Sequence, residues 1–254
     1  MRIVIKVGTS TLAHSSGRLN IRRIEELCKV ISDLKNAGHE IIFVSSGAIG
    51  MGVGKLNLNA KPTDISTKQA AAAVGQCELM YTYDKLFTEY NHTVAQLLIT
   101  ALDIKEGTNK QNFHNTLQRL LELNTIPIIN ENDTVSTEEI VIGDNDTLSA
   151  NVAASINADL LILLSDIDGL YNKDDKGNYL DLIPEVYDID DKIISLAGGV
   201  EGNLGTGGMA TKVKAAKIAN NAGCDMIIAN GGNPTLLYDI IEGKNAGTRF
   251  YSKR

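Results

Sequence analysis

The stretch IINENDTVSTEEIVIGDNDTLSA, from Ile128 to Ala150, places two clusters of polar residues between apolar segments. Asn130–Asp133 follow the apolar run Ile126–Ile129, and Gly143–Asp146 precede a segment with helical character. Open α/β sheets bind ligands in the crevice beyond the carboxyl ends of their strands, so both clusters are predicted to line a ligand site. The alternative is a pair of surface turns, since Asn, Asp and Gly are common turn residues.

Outward from this stretch, short apolar runs alternate with segments of helical periodicity. A continuous apolar run is typical of a parallel strand that is covered on both faces. The predicted strands are Ile3–Ile5, Ile41–Val44, Val94–Ile99, Ile126–Ile129, Leu160–Leu164 and Met226–Ala229. The predicted helices run from the cap Asn20 to Gly38, over Lys68–Tyr83, Asn112–Leu123 and Thr147–Ile156, and from Lys212 to near Gly223. Alternating strands and helices predict an α/β fold.

Three segments fit this alternation less well. Glu138–Ile142 is predicted to form part of a small hairpin over the site, Asn172–Asn178 is predicted to be loop, and Ile193–Gly202 gives no clear signal. Because no repeat, linker or low-complexity tract divides the chain, we expect one domain with two lobes.

The composition excludes several classes of function. The chain has 254 residues, and a hydrophobic content of 43% is ample for a continuous core. Its net charge of −7 argues against general nucleic-acid binding, because neutralising phosphates requires a basic face. Cys28, Cys77 and Cys224 lie far apart, as expected for free thiols in a reducing compartment. We see no secretory signal and no apolar stretch of about 20 residues. We therefore expect a cytoplasmic protein that does not bind membranes.

The glycine-rich stretch GTGGMATK, Gly205–Lys212, is the strongest local signal for phosphate binding. Successive glycines let several backbone N–H groups point into one concavity, and a helix that begins there adds its positive end. Lys212 would add a point charge. The alternative is a flexible loop with a solvated lysine. The spacing differs from that of a P-loop.

A second glycine-rich turn, Gly47–Gly52, comes shortly after the predicted strand Ile41–Val44. It misses the GxGxxG fingerprint because position 55 is Lys55, which disfavours a hydride-transferring dinucleotide enzyme. The turn still presents backbone amides to an anion, and Ser46 could add a hydroxyl group.

Two lysines far apart in the sequence are candidates for phosphoryl transfer. Lys6 ends an apolar run and precedes Gly8–Ser10, a turn where the backbone can approach a phosphate. Lys6 and Lys212, with an acid able to hold both, predict stabilisation of a migrating phosphoryl group by charge.

The sequence gives no signal for a dedicated metal site. The histidines lack the spacing of zinc ligands. The acid pairs Asp144 with Asp146 and Asp166 with Asp168 could touch Mg²⁺ carried in by a nucleotide, but no metal ligand is assigned directly.

No Ser-His-Asp set or catalytic cysteine is evident in the sequence. A carboxylate acceptor fits this absence, because a glutamate-type carboxyl group with a pKa of about 4.3 is already deprotonated at neutral pH. Such an acceptor needs no general base.

Six motifs together resemble those of the amino acid kinase family, and they stand in the family's order. They are KVGTS at Lys6–Ser10, SSGAIG at Ser45–Gly50, INENDTV at Ile129–Val135, GDNDTLSA at Gly143–Ala150, SDIDGLY at Ser165–Tyr171 and GTGGMATK at Gly205–Lys212. The resemblance implies a three-layer α/β/α sandwich around a mainly parallel open sheet. It also implies transfer of the γ-phosphoryl group of ATP to the side-chain carboxylate of L-glutamate. The product would be L-glutamyl 5-phosphate, and the reaction the first step of proline biosynthesis.

The resemblance assigns roles by position. Lys6 and Lys212 would stabilise charge on the transferred phosphoryl group, and Asp146 would orient both lysines. The glutamate-binding residues would be Ser46, Gly47, Asn130, Asp133 and Asn145. The ATP-binding residues would be Lys6, Gly8, Ser165, Asp166, Thr206, Gly207, Gly208, Met209, Ala210, Thr211 and Lys212. Asp133 is the candidate partner of the α-ammonium group of glutamate, because a buried cation needs a paired acid. An N-acetylated substrate would not need that partner.

The resemblance also implies a single kinase domain over residues 1–254, with an N-terminal lobe mainly for glutamate and a C-terminal lobe mainly for ATP. Many family members carry a C-terminal PUA domain, which we do not expect here. We expect a homodimer or higher homo-oligomer, and proline is a candidate feedback inhibitor. Two alternatives stay open. One is an enzyme of the same fold that acts on acetylglutamate or aspartate, and the other is a catalytically silent nucleotide-binding regulatory module.

Overall fold

The computed structural model describes residues 1–14, 18–60, 62–100, 102–104, 107–136, 145–174, 176–198 and 208–253. The elements along this part of the chain are β1 (Arg2–Val7), α1 (Thr9–Leu12), α2 (Ile21–Asn36), β2 (Glu40–Ser45), α3 (Ala48–Lys55), α4 (Ile65–Thr88), β3 (Val94–Ile99), α5 (Gly107–Glu122), β4 (Ile126–Glu131), α6 (Asn145–Ser155), β5 (Leu160–Ser165), β6 (Tyr171–Lys173), β7 (Tyr179–Leu182), β8 (Glu185–Val186), α7 (Asp191–Leu196), α8 (Met209–Asn221), β9 (Asp225–Asn230), α9 (Leu236–Ile241) and β10 (Thr248–Phe250).

A mainly parallel sheet forms the centre of the fold. Among the described residues it has eight strands in the order β3-β4-β2-β1-β5-β9-β10-β8. All neighbours pair in parallel except β9 and β10, which are antiparallel. The carboxyl ends of β1, β2, β4, β5 and β9 therefore meet along one edge, which we call the carboxyl edge.

Helices cover both faces of the sheet, and the alternation of side chains along each strand decides which helices a residue meets. Val4 packs on the face covered by α5, α6, α7 and α8, which we call the first face. Ile5 and Ile128 pack on the second face, covered by α2, α3, α4 and α9. By the same alternation, Lys6 lies on the first face and Asn130 on the second. The prediction of a parallel sheet between helical layers is confirmed.

Local sequence signals set the starts of the longer helices. Asn20 Oδ1 accepts a hydrogen bond from the backbone N–H of Arg23 at 3.2 Å, which caps α2 as predicted. Asp64 Oδ1 caps α4 by accepting the N–H of Thr67 at 2.8 Å. Because of this cap, α4 begins before the predicted start at Lys68, and it also continues beyond Tyr83 to Thr88. No helix in the described part of the chain is both long enough and apolar enough to cross a membrane.

The loop predicted for Asn172–Asn178 is wrong in part. Tyr171–Lys173 and Tyr179–Leu182 pair as an antiparallel two-stranded hairpin. The rings of Tyr171 and Tyr179 lie 5.6 Å apart and join the two strands across a short polar turn. Such a cross-strand aromatic contact gives no periodic signal in a segment this short.

Two further predictions concern segments that are described only in part or not at all. The hairpin predicted for Glu138–Ile142 lies outside the described residues. Ile193–Gly202 has no clear pattern in the sequence, and its residues up to Leu196 belong to α7.

The helices α3 and α4 pack with their backbones in contact on the second face. A Cβ atom on Gly75 would lie 1.8 Å from the carbonyl oxygen of Ala48, and one on Gly52 would lie 1.7 Å from that of Ala71. Only glycine permits so close an approach. The helix α4 therefore holds α3, and the turn Ser46–Gly47 that precedes it, against the end of β2.

We expect Gly75→Ala to lower the free energy of unfolding by about 3 kcal/mol, because the added methyl group overlaps the carbonyl of Ala48 and forces the two helices apart. Urea unfolding followed by circular dichroism measures the change. Gly54→Ala, at an exposed position of α3, is the matched control and should change stability by no more than about 1 kcal/mol. Equal effects of the two substitutions would contradict the close packing of α3 on α4.

Candidate functional site

Two buried lysines share one buried carboxylate at the carboxyl edge. Lys6 Nζ lies 2.7 Å from Asp146 Oδ1, and Lys212 Nζ lies 3.0 Å from Asp146 Oδ2. Asp146 is 1% exposed, Lys212 is 3% exposed and Lys6 is 8% exposed. The structure thus brings together the three residues that the sequence analysis predicts to be catalytic, and their catalytic role stays a prediction.

Each member of this cluster comes from the end of a regular element. Lys6 is the next-to-last residue of β1, on the first face of the sheet. Asp146 and Lys212 lie in the first turns of α6 and α8, two helices that pack against each other on the same face. A carboxylate in the first turn of a helix is stabilised by the positive end of the helix dipole.

The electrostatics of the cluster favour an anionic ligand. Burial raises the pKa of the Asp146 carboxyl, but the ammonium groups of Lys6 and Lys212 outweigh this effect and hold its pKa below the ordinary value. The ammonium groups of Lys6 and Lys212 can bind a phosphate in this poorly solvated position, because buried charges are stable when they are paired.

The first turn of α8 contributes a further contact to Asp146. Thr211 Oγ1 lies 3.0 Å from Asp146 Oδ2 and 2.7 Å from the carbonyl oxygen of Gly208. Gly208 caps α8, Met209 is half-buried against the core of the first face, and Ala210 is exposed. Thr211 is predicted to bind ATP, and no pattern in the sequence indicates its contact with Asp146.

Two of the predicted ATP-binding residues, Thr206 and Gly207, lie outside the described residues, as do Gly143 and Asp144 of the second polar cluster.

The remaining residues predicted to bind ATP lie between β1 and β5. A Cβ atom on Gly8 would lie 3.6 Å from Lys6 Nζ, so the backbone of Gly8 adjoins the ammonium group. Ser165 ends β5, the strand beside β1, and its hydroxyl donates a hydrogen bond to Asp166 Oδ1 at 3.1 Å. Gly8 therefore adjoins Lys6, and Ser165 and Asp166 lie at the end of the neighbouring strand β5.

On the other side of Lys6, a chain of amide and hydroxyl groups joins β2, β4 and α6. Asn145 Nδ2 lies within hydrogen-bond distance of three acceptors: Ser46 Oγ at 2.8 Å, Asn130 Oδ1 at 2.9 Å and the carbonyl oxygen of Ser45 at 3.2 Å. Gly47 follows Ser46 and caps α3. Four of the residues predicted to bind glutamate thus lie together.

Asp133, the fifth predicted glutamate-binding residue, lies half-buried in the turn that follows β4, three residues beyond Asn130.

The structure adds two polar residues of α4 that the sequence analysis missed. Gln76 Oε1 accepts a hydrogen bond from Asn130 Nδ2 at 2.8 Å, and the hydroxyl groups of Tyr83 and Ser45 lie 2.8 Å apart. The signal that could have identified Gln76 is a polar residue on the apolar stripe of a helix.

Among the described residues, no group of three His, Cys, Asp or Glu side chains could hold a metal ion. Asp168, at the loop after β5, accepts hydrogen bonds from Asn230 Nδ2 and the hydroxyl of Tyr171, both at 2.8 Å. These bonds lower the pKa of the Asp168 carboxyl below its usual range, so it is ionised at neutral pH.

Comparisons with known sequences agree with one another. Residues 1–230 match the model of the amino acid kinase family. The chain is similar to the glutamate 5-kinases of Clostridium perfringens, at 53% identity over 100% of this chain and 96% of that protein, and of Clostridium tetani, at 54% identity over 98% and 93%. It is also 51% identical to the glutamate 5-kinase of Caldanaerobacter subterraneus, over 98% of this chain and 68% of that protein.

The fold is similar to that of a carbamate kinase from Giardia lamblia bound to AMP-PNP. The TM-score is 0.68 at 18% sequence identity, and the match covers 99% of this chain and 98% of that one. The predicted α/β/α architecture is therefore confirmed.

We expect Asp146→Asn to lower the free energy of unfolding at neutral pH by about 3 kcal/mol, because it leaves two buried ammonium groups without their counter-ion. The folded-state pKa of Asp146 lies below the ordinary value of 3.8. Its contribution to stability is therefore fully present above that value and is lost as the pH falls through the lower folded-state pKa. The difference in stability between wild type and Asp146→Asn should shrink accordingly in urea titrations from about pH 6 to about pH 3.

Asp239→Asn is the matched control for this measurement, since Asp239 pairs with Lys244 at 2.8 Å on the surface. Its effect should stay below about 1 kcal/mol. A loss of stability in Asp146→Asn that matches this control, or that does not change with pH, would contradict the buried ion-pair cluster.

Proposed function

The chain belongs to the amino acid kinase family, and within it to the glutamate 5-kinases, and we propose that it transfers the γ-phosphoryl group of ATP to the side-chain carboxylate of L-glutamate. The product is L-glutamyl 5-phosphate, and the reaction is the first step of proline biosynthesis. The observation that carries this proposal is the convergence of Lys6 and Lys212 on Asp146 at the carboxyl edge of the sheet.

The chemistry follows from the charges in this cluster. A carboxylate oxygen of glutamate forms a bond to the γ-phosphorus, the bond from that phosphorus to the β–γ bridging oxygen breaks, and ADP leaves with the electron pair. The acceptor has a pKa of about 4.3 and is already ionised at neutral pH, so no general base is needed. Lys6 and Lys212 stabilise the charge on the transferred group, and Asp146 keeps both ammonium groups in place.

The two substrates are proposed to occupy opposite sides of β1. Glutamate binds on the side of β2 and β4, where Ser46, Gly47, Asn130 and Asn145 lie together. ATP binds on the side of β5 and α8, near Gly8, Ser165, Asp166 and the first turn Met209–Lys212. Because β1 lies between β2 and β5, this arrangement supports one kinase domain with a glutamate lobe and an ATP lobe. Lys6, on β1, lies where the two lobes meet.

Asp133 is proposed to pair with the α-ammonium group of glutamate. A buried cation needs an anionic partner, and Asp133 follows directly on the strand that carries Asn130. This pairing favours a free amino acid over an N-acetylated one, which has no charge at that position.

Mg²⁺ is proposed to enter the site with ATP. The described residues hold no cluster of metal ligands, and Mg²⁺ commonly binds through substrate phosphates, water and one or two carboxylates. Asp166, exposed at the end of β5, is the candidate carboxylate. When bound, the ion neutralises charge on the β- and γ-phosphates.

Two finer features are proposed on the family resemblance, namely assembly as a homodimer or larger homo-oligomer and feedback inhibition by proline. Proline shares the α-carboxylate and α-amino groups of glutamate, so it would compete for the pocket of Asn145 and Asp133. Sedimentation of the purified protein tests the first feature, and addition of proline to the activity assay tests the second.

We expect the protein to form an acyl phosphate from L-glutamate at a rate at least about tenfold above that with N-acetyl-L-glutamate or L-aspartate, because only a free amino acid of the right length satisfies both Asp133 and the amide groups. Trapping with hydroxylamine converts acyl phosphates to hydroxamates, which are detected as coloured ferric complexes, and coupled ADP release measures turnover. A higher rate with N-acetyl-L-glutamate or L-aspartate would show that this acceptor, and not glutamate, is the substrate. Nucleotide binding without turnover of any acceptor would indicate a regulatory module.

We expect Lys212→Ala to lower kcat by at least about 100-fold, because it removes a charge that acts on the transferred phosphoryl group. The KM for glutamate should change by less than about threefold, since Lys212 lies on the ATP side of the site. Lys214→Ala, at an exposed position of the same helix, is the control and should retain wild-type kinetics. If the Lys212→Ala enzyme keeps the wild-type kcat, Lys212 is not a catalytic residue.

A further inference from the structure

We propose that Gln76 of α4 is a positioning residue for glutamate, which acts through Asn130 on the amide groups that bind the substrate. This inference deepens the proposed function and depends on it. Gln76 is 8% exposed, and its Oε1 accepts a hydrogen bond from Asn130 Nδ2 at 2.8 Å. Neither a motif nor a glycine-rich turn marks this residue in the sequence.

The position of Gln76 within α4 requires a specific polar partner. Gln76 shares one face of the helix with Ala72, four residues before it, and with Leu79 and Tyr83, three and seven residues after it. All three of these side chains are buried against the second face of the sheet. A primary amide in such apolar surroundings is costly unless it is hydrogen-bonded. Asn130 is 2% exposed and supplies that partner from the end of β4.

The hydrogen bond from Asn130 selects one of two orientations of its amide group. With Nδ2 donating to Gln76, Oδ1 faces the other way and accepts from Asn145 Nδ2 and from the backbone N–H of Glu131, both at 2.9 Å. If the amide turned over, its NH₂ group would meet two donors. The backbone N–H of Glu131 can only donate, so it keeps Oδ1 on its side, and Gln76 Oε1 stabilises this orientation by accepting from Nδ2 on the other side.

This orientation decides which atoms face a substrate. Asn145 Nδ2 is engaged by Asn130 Oδ1 and Ser46 Oγ, so the amide atom that remains for a donor such as an ammonium group is Asn145 Oδ1. Because Ser46 Oγ accepts from Asn145, its own hydrogen is available to an acceptor such as a carboxylate. An ammonium and a carboxylate are the two charged groups on the α-carbon of a free amino acid.

Two contacts on either side of Gln76 keep α4 in place. Gly75 packs against the carbonyl of Ala48 in α3, and the Tyr83 hydroxyl lies 2.8 Å from Ser45 Oγ at the end of β2. The amide of Gln76 is therefore presented to Asn130 from a rigid element rather than from a loop. A site held in this way loses little entropy when the substrate binds.

The test separates glutamate binding from turnover. Gln76→Met keeps the length of the side chain but removes the acceptor, and we expect the KM for glutamate to rise about tenfold while kcat and the KM for ATP change by less than about threefold. A residue that only supports the fold would lower the apparent kcat through loss of active protein and leave both KM values unchanged. Gln69→Met makes the same change on the same helix and should have wild-type kinetics.

A second variant and a double-mutant cycle complete the test. Gln76→Asn keeps an amide but is too short to reach Asn130, so it should raise the KM for glutamate as Gln76→Met does, even if Gln76→Met does not fold. If Gln76 acts through Asn130, Gln76→Asn should raise the KM of an Asn130→Ala enzyme by less than about twofold. A KM for glutamate within about twofold of wild type in Gln76→Asn, or additive effects in the cycle, would overturn the inference.

The wild-type enzyme distinguishes failure of this inference from failure of the proposed function. Activity on glutamate together with an unchanged KM in the Gln76 variants overturns the positioning role alone. A wild-type enzyme that does not phosphorylate glutamate overturns the proposed function and this inference with it.

Discussion

The carboxylate of Asp146 holds the ammonium groups of Lys6 and Lys212, and the rest of the site depends on this contact. Buried lysines are strongly unfavourable without a counter-ion. The two lysines come from β1 and α8, so the cluster forms only when both halves of the sheet are assembled. Both ammonium groups therefore lie beside one carboxylate at the place where a phosphoryl group would pass.

The parallel sheet brings the parts of the site to one place. Parallel strands end at the same edge, and helices that return across the sheet begin there, so the first turns of α6 and α8 meet the end of β1. Because side chains alternate along each strand, different parts of the site lie on the two faces of the sheet. Lys6 points to the face of α6 and α8, while Asn130 points to the face of α4 and contacts Gln76. Asn145 joins the two groups across the edge.

The sequence allowed a large part of the fold and the site to be predicted. Apolar runs located the long strands, the cap at Asn20 located α2, and motif order pointed to the kinase family. Helix ends were less predictable, because a single cap such as Asp64 moves the start of α4. The hairpin of Tyr171 and Tyr179 escaped prediction, because a contact between two rings on opposite strands leaves no periodic pattern in so short a segment. Gln76 and the contact of Thr211 with Asp146 escaped prediction for a similar reason, since each of these side chains contacts a partner far away in the sequence.

By itself, the sequence determined the alternation of strands and helices, the glycine-rich stretches Gly47–Gly52 and Gly205–Lys212, and the set of charged residues from which the site is built. These are local properties, decided by each residue and its neighbours along the chain. Only the tertiary structure decided which acid pairs with which lysines, that Thr211 joins them, and that the amide of Asn130 is oriented from α4. The reason is that hydrogen bonds and ion pairs act over about 3 Å in space, regardless of distance along the chain.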